Sequence, residues 1–404
     1  MYKVAITGIG IISVLGNTVD TVSSSLYKGQ SGIVIDEDRV ELGFESPLTG
    51  IINDFDPATR LSRKQRKTMT YHAIQAHAAT LDALEMSGLQ PEDWQNDQTG
   101  LIFGCDSSSI AAIEQVRILK EKGNTGLIGS GAVFRSMTSN VTMNLNMLLK
   151  TRGAAWSVSS ACSSGGHAIG QAFTLISTGQ QDRVICGGAQ EINWESMCSF
   201  DGLGAFTSNT DAPAKACRPF DKNRDGLVPS GGAASIVLER YDHAKARGAH
   251  ILGEVCGYGF SSDGEQLSNP STTGLSIAGA KALKWAKIAP KDIDYVCAHA
   301  TATPAGDSAE AANLRNLFEG CSPTISSTKS MTGHELWMSG ASQVVYSTIM
   351  ARDGFIAPNI NLETLTPEAE GLHITPTTIE RAPRSVLCNS AGFGGTNSCL
   401  VLKY

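Results

Sequence analysis

The sequence predicts an α/β protein built as two halves that pack as one body. Three observations carry that reading. Short apolar runs alternate with longer stretches of helical spacing along the whole chain. The alternation starts afresh after Gly248, and no Pro- or Ser-rich linker separates the two halves. The 42 glycines fall largely where apolar runs end, where a chain turns tightly or brings backbone close to a ligand. With 404 residues there is length for an extensive layered core. We divide the halves at 1–250 and 251–404.

In the first half the expected strands are YKVAITGI at the start, TGLIFG from Thr99, AAWSVSSA from Ala154, DRVICGGA from Asp182 and AASIVLER from Ala233. In the second they are HILGEVCGYG, IDYVCAHA, PTISSTK, RSVLCNSA and CLVLKY, with GLSIAGAKALKWAKI and DSAEAANLRNLF as helices between them. The GIGIIS that follows the opening strand looks like a dinucleotide fingerprint, yet Ser13 stands at its third glycine position and no acidic residue closes a second strand. We read it as a structural turn, with no nicotinamide site.

A net charge of -7 and a pI near 5.7 argue against a nucleic-acid scaffold, whose domains carry a basic excess. No charged-then-apolar leader opens the sequence, and no apolar run reaches the roughly 18 residues of a membrane helix. The chain is read as cytoplasmic. Ten cysteines are scattered singly without a CxxC pair, so neither a zinc module nor a disulfide framework is indicated.

One of them stands apart. In SVSSACSSGGHAIG, Cys162 follows an apolar strand and precedes Ile169, Phe173 and Ile176 at helical spacing, which puts it on a strand-to-helix elbow. The N–H groups and dipole of a helix start favour an anion, so a thiol there is expected to drop from a pKa of about 8.5 toward about 7. Ser160, Ala161, Ser163, Ser164 and Gly165 would leave room for a substrate carbonyl. The alternative is a buried cysteine tolerating a crowded helix–strand contact, and the elbow alone does not choose between them. Two histidines favour chemistry: His299 and His334 each follow an expected strand, where open α/β sheets place their sites. One Cys and two His are also a zinc-ligand set, but they lack a fourth ligand at recognisable spacing.

With these residues the sequence resembles the β-ketoacyl-[acyl-carrier-protein] synthases of the thiolase superfamily, most closely the synthase I type of bacterial fatty acid synthesis. The resemblance spans essentially the whole chain. It rests on SSAC with Cys162, H-x-T-x-T-P-x-G-D from His299 to Asp307, K-x-M-T-G-H from Lys329 to His334, and GFGGTN from Gly392 to Asn397. It implies a five-layered αβαβα fold, a homodimer, and decarboxylative condensation of malonyl-carrier protein with an acyl group held on Cys162. No cofactor or metal is implied. By the same resemblance His299 and His334 donate to the malonyl thioester oxygen, and the N–H groups of Cys162 and Phe393 form the oxyanion hole, Phe393 doubling as a gate. Lys329 and Glu310 match a supporting ion pair, Thr301 and Thr303 contact the pantetheine arm, and Met197, Phe200 and Phe206 line the acyl pocket. Asp307 is read as structural.

The carrier protein is acidic, and RLSRKQRKT supplies Arg63, Lys64, Arg66 and Lys67, with Arg117 and Lys120 in RILKEKG. Such a run is usually a solvated helix face, but on an acidic chain it can steer an acidic partner. The sequence also departs from the family pattern. Ala300 and Ala302 replace the usual glycine and serine, Glu335-Leu336-Trp337-Met338 replace small residues, and Asp106 stands where relatives keep glycine. These changes suggest an atypical acyl substrate, such as a polyene. The alternative reading is a ketosynthase of a specialised polyketide or aryl polyene pathway, with a heterodimer formed with a non-catalytic chain-length partner.

Overall fold

The computed structural model describes residues 1–404. Its thirteen strands are β1 (Val4–Ile12), β2 (Ile33–Ile35), β3 (Leu48–Gly50), β4 (Thr99–Gly104), β5 (Ala155–Val158), β6 (Arg183–Gln190), β7 (Gly232–Arg240), β8 (Gly253–Ser262), β9 (Tyr295–Cys297), β10 (Thr324–Ser326), β11 (His373–Ile374), β12 (Ser385–Gly392) and β13 (Thr396–Lys403). β2 and β3 make a separate hairpin; the others form one ladder ordered β11-β10-β9-β12-β13-β8-β1-β7-β6-β4-β5.

That order contains a repeat. Toward the centre the first half runs β5-β4-β6-β7-β1 from its edge, and the second, inside its extra edge strand β11, runs β10-β9-β12-β13-β8. In both, the first three strands are mutually parallel and the last two join antiparallel. The halves meet where β1 and β8 pair over Val4–Ile6. β1 is buried along its whole length. Its Val and Ile side chains feed a core cluster on one face while Ile12 joins a second cluster on the other, so the run is apolar throughout rather than alternating.

The GIGIIS segment is not a turn after β1: Gly8 to Ile12 belong to the strand and only Ser13 lies past its end. A Cβ on Gly8 would sit 2.0 Å from the Ala83 carbonyl oxygen, and one on Gly10 1.9 Å from that of Ala79. The glycines therefore let the helix Tyr71–Ser87 lie with its backbone directly on the strand. β8 repeats the device: Gly257 and Gly259 face the Ala282 and Ala278 carbonyls of the helix Gly274–Ala286 at 2.2 and 1.9 Å.

Those two helices cover the outer faces, while the helices Ser164–Ser177 and Ser339–Asp353 pack on each other and on strands of both halves. The layers are thus α, β, α, β, α. Every residue from Ser339 to Met350 is buried, so the polar ones must find partners inside. Gln343 donates to the Ala298 carbonyl at 2.9 Å, and Ser342 and Tyr346 donate to Glu335 at 2.5 and 2.6 Å. This central helix thereby pins segments flanking both candidate histidines. No helix is long and apolar enough to cross a membrane.

Candidate active site

Cys162 lies in the 3-10 turn Ala161–Ser163, between β5 and the helix Ser164–Ser177, as the elbow reading expects. Ala161 takes a left-handed φ of 46°, strained for a residue with a side chain, and its N–H donates to the Asp106 carboxylate at 3.2 Å. Two of the small residues after Cys162, Gly165 and Gly166, also have a packing cause. A Cβ on Gly340 would stand 2.3 Å from the Gly166 nitrogen, and one on Gly165 2.9 Å from the Ala341 nitrogen, so small residues are needed for the two central helices to cross.

The expected drop in the thiol's pKa is overturned. Burial pushes Cys162 up to about 12, and the nearby Lys329 charge and the facing N–H groups of Cys162 and Phe393 offset only part of it. Desolvation costs the thiolate more than one helix start returns. Cys162 rests as a neutral thiol.

His299 follows β9 and is held through its backbone. From the helix Pro304–Leu317, Glu310 accepts the N–H groups of His299 and Ala300 at 2.9 and 2.6 Å, and Asp307, one turn earlier, accepts those of Thr301 and Ala302 at 3.0 and 3.1 Å. Asn389 adds its amide to Glu310 at 3.0 Å. Lys329 and Glu310 make no direct salt-bridge contact, yet the charge of each acts on the other, as the pairing implied by the resemblance requires in its looser form. Lys329 is fully buried, and its charge bears on Cys162 and both histidines.

His334 follows the short helix Lys329–Thr332, and its ring Nδ1 accepts the Leu336 N–H at 3.3 Å. An Nδ1 that accepts leaves the proton of the neutral ring on Nε2, a tautomer assigned from heavy-atom geometry. Ser339 Oγ lies 3.1 Å from the same nitrogen. The two rings stand 5.3 Å apart between centroids, nearly perpendicular at 85°. Burial, reinforced by Lys329, holds both pKa values well below the usual histidine range, so both imidazoles are neutral. Ala302 and Leu336, like Ala161, have positive φ, so each of the three loops that carry Cys162, His299 and His334 holds one of the chain's eight non-glycine residues in that region.

Cys162, His299 and His334 line one cavity of about 400 Å³, together with Glu310, Thr301, Thr303, Phe200 and Phe393. Met197 and Phe206 do not line it. They are buried with Leu227, Leu336 and Trp337 in a small apolar cluster packed on Cys162. Phe200 bridges the two environments, stacked on Phe206 at 6.3 Å and on Phe393 at 6.0 Å. The turn carrying Phe393 needs its glycines, since Gly394 and Gly395 both have positive φ.

Arg63, Lys64 and Arg66 form a one-turn helix capped by Ser62, and with Lys67 they border a shallow surface depression. Lys120 and Arg117 lie on the helix Ser109–Lys122, where Arg117 is engaged by Glu121 at 3.1 Å and so contributes less free charge than its sequence position suggests. Two supporting residues escape a sequence reading. Asn389 has a signal, a polar residue inside the apolar run RSVLCNSA. Glu191, which accepts from Ser107 and Ser109, has none.

A buried thiol, two neutral imidazoles and paired backbone N–H groups on a five-layered scaffold define a thiolase-like condensing site. The chain belongs to the beta-ketoacyl synthase family: the N-terminal domain of that family matches residues 1–244 and the C-terminal domain residues 252–363. It is 41% identical to 3-oxoacyl-[acyl-carrier-protein] synthase 1 of Haemophilus influenzae over 411 aligned positions, covering 100% of this chain and 99% of the other. The enzyme of the same name from Escherichia coli K12 is 40% identical with the same coverage. A solved beta-ketoacyl synthase from Burkholderia phymatum superposes with a TM-score of 0.95 at 32% identity, covering 100% of this chain and 99% of that one.

Proposed function

We propose that the protein is a 3-oxoacyl-[acyl-carrier-protein] synthase that elongates acyl chains by decarboxylative condensation. The observation that carries this is the convergence of Cys162 with two neutral histidines, one of fixed tautomer, in a single cavity. Full-length relatives named for this activity support it, and favour primary fatty acid elongation over the polyketide alternative.

In the first half-reaction the Cys162 sulfur attacks the acyl thioester; its proton passes to the departing pantetheine sulfur, and a neutral histidine is the carrier at hand. The N–H groups of Cys162 and Phe393 face the position where the carbonyl oxygen becomes negative. In the second, malonyl-carrier protein loses CO2 and its electrons collect on the thioester oxygen. His334 donates Nε2–H to that oxygen and His299 is its second donor. The carbanion attacks the Cys162 thioester, the cysteine sulfur leaves as thiolate and takes up a proton, and 3-oxoacyl-carrier protein is released. Neutral rings suit this role, because donors are needed without prior proton loss.

Thr301 and Thr303, whose hydroxyls lie 3.0 Å apart on the cavity wall, contact the pantetheine arm. Arg63, Lys64, Arg66 and Lys67 receive the acidic carrier, with Lys120 and Arg117 as outlying charges. The working unit is a homodimer: β5 is a sheet edge with Ala155 and Trp156 exposed, which a second copy would cover. We place the nucleophile in the half 1–250 and the histidines in the half 251–404. Purified protein given acyl- and malonyl-carrier protein should release CO2 and form 3-oxoacyl product. Folded protein that yields neither overturns the reading.

A further inference from the structure

The cavity that reaches Cys162 is lined by Thr301, Thr303 and Phe393 but not by three other side chains packed in one cluster with the cysteine, where the space is filled. The filling is Trp337, with Met197 and Phe206 beside it. Trp337 is only 7% exposed, and its ring lies 6.4 Å from that of Phe200. The indole is also tethered. Its Nε1–H donates to Ser107 Oγ at 3.2 Å, and Ser107 donates in turn to the Glu191 carboxylate at 3.0 Å. Glu191 is itself fixed, because it accepts the Ser109 N–H at 2.8 Å and the Asn193 amide at 2.9 Å. Swinging the ring aside would break a part-buried hydrogen bond and open a void in a packed cluster, both of which oppose the movement.

We propose that Trp337, held by Ser107 and Glu191, is the chain-length determinant of this enzyme and restricts the acyl group on Cys162 to a few carbons. This rests on the condensing function proposed above and names its donor class. An acyl chain leaving the sulfur away from the pantetheine side meets the indole at once. A short chain fits against Leu227 and Leu336, which line the cavity, whereas a long one must displace a tethered ring. The mechanism is steric exclusion by one side chain, with the hydrogen-bond relay supplying the rigidity that a loose tryptophan would lack.

The test is acyl transfer to Cys162, followed by intact-protein mass spectrometry, with butyryl-, octanoyl- and dodecanoyl-carrier protein as donors. The native enzyme should load butyryl at least about tenfold faster than dodecanoyl. Trp337→Ala should raise the dodecanoyl-to-butyryl ratio by about tenfold or more, and Ser107→Ala, which keeps the ring but frees it, should move the ratio the same way by less. If Trp337→Ala does not fold, the native profile and Ser107→Ala decide. A native enzyme that loads all three donors alike, or variants that leave the ratio in place, overturn the proposal. Failure to load Cys162 from any donor overturns the condensing function itself and is a visibly different result.

Discussion

The two halves share one strand order and one way of seating an outer helix on glycines, yet they supply opposite parts of the chemistry. Cys162 and His334 occupy equivalent places, each in the connection from its half's edge-side parallel strand to a central helix. The segment after β4 in the first half holds Asp106 and Ser107, where the segment after β9 in the second holds His299. The last two strands differ most. β12 and β13 are joined by a tight turn carrying Phe393, whereas residues 191–231 separate β6 from β7 and bring Met197, Phe200 and Phe206. Phe393 and Phe200 then stack across the cavity. A duplicated scaffold thus constrains where side chains emerge, and the connections decide what they do.

The sharpest way to break this comparison is to disable each half in turn. Cys162→Ala should abolish acyl-enzyme formation and condensation while the protein still releases CO2 from malonyl-carrier protein, because both histidines remain. His334→Ala should cut CO2 release by about 10²–10³, the cost of about 2.7–4 kcal/mol for one lost oxyanion donor, with a smaller loss in Cys162 acylation. Equal loss of both half-reactions in both variants would refute the division of labour.

A smaller effect tests the shared scaffold. Gly10→Ala and Gly259→Ala each place a methyl within 1.9 Å of a helix carbonyl, and each should lower stability by about 1–3 kcal/mol in thermal unfolding. Similar losses are expected from the two; a large difference would mean the repeat is geometric but not energetic.

The last test concerns the charge that links the halves. Lys329 lies in the second half and bears on Cys162 in the first. In the proposed mechanism the neutral imidazoles are the active form, and they are lost as pH falls through their pKa values, which lie well below the usual histidine value. CO2 release should therefore stay flat through the ordinary histidine range and fall only at lower pH. Lys329→Met removes a charge that adds to burial in depressing both histidines, so the acid limb should move up in pH while burial still holds it below the usual histidine range. The same change raises the Cys162 pKa further, since Lys329 holds it down. An acid limb that stays in place would show that burial alone sets the histidines.

Much of this was legible in the sequence, for a local reason. Strands such as TGLIFG and DRVICGGA declare themselves by apolar runs, and the placement of Cys162, His299 and His334 at strand ends follows from those runs. What the sequence left out were partners distant in the chain. Glu310 reads in the sequence only as the counter-ion of Lys329, and its charge does act on that lysine, but the fold also gathers four backbone N–H groups onto Glu310 and Asp307. GIGIIS looked like a turn because its glycines carry no record of the helix that lies on them.

The sequence by itself determined the elements, the elbow and the strand-end positions of Cys162, His299 and His334, because periodicity and turn chemistry are properties of neighbouring residues. Only the tertiary structure decided that Cys162 is a neutral thiol near pKa 12, that His334 presents Nε2–H, and that Trp337 stands behind the sulfur. Desolvation, tautomer choice and occupied volume depend on atoms from remote segments, and those are brought together only when both halves fold onto their central helices.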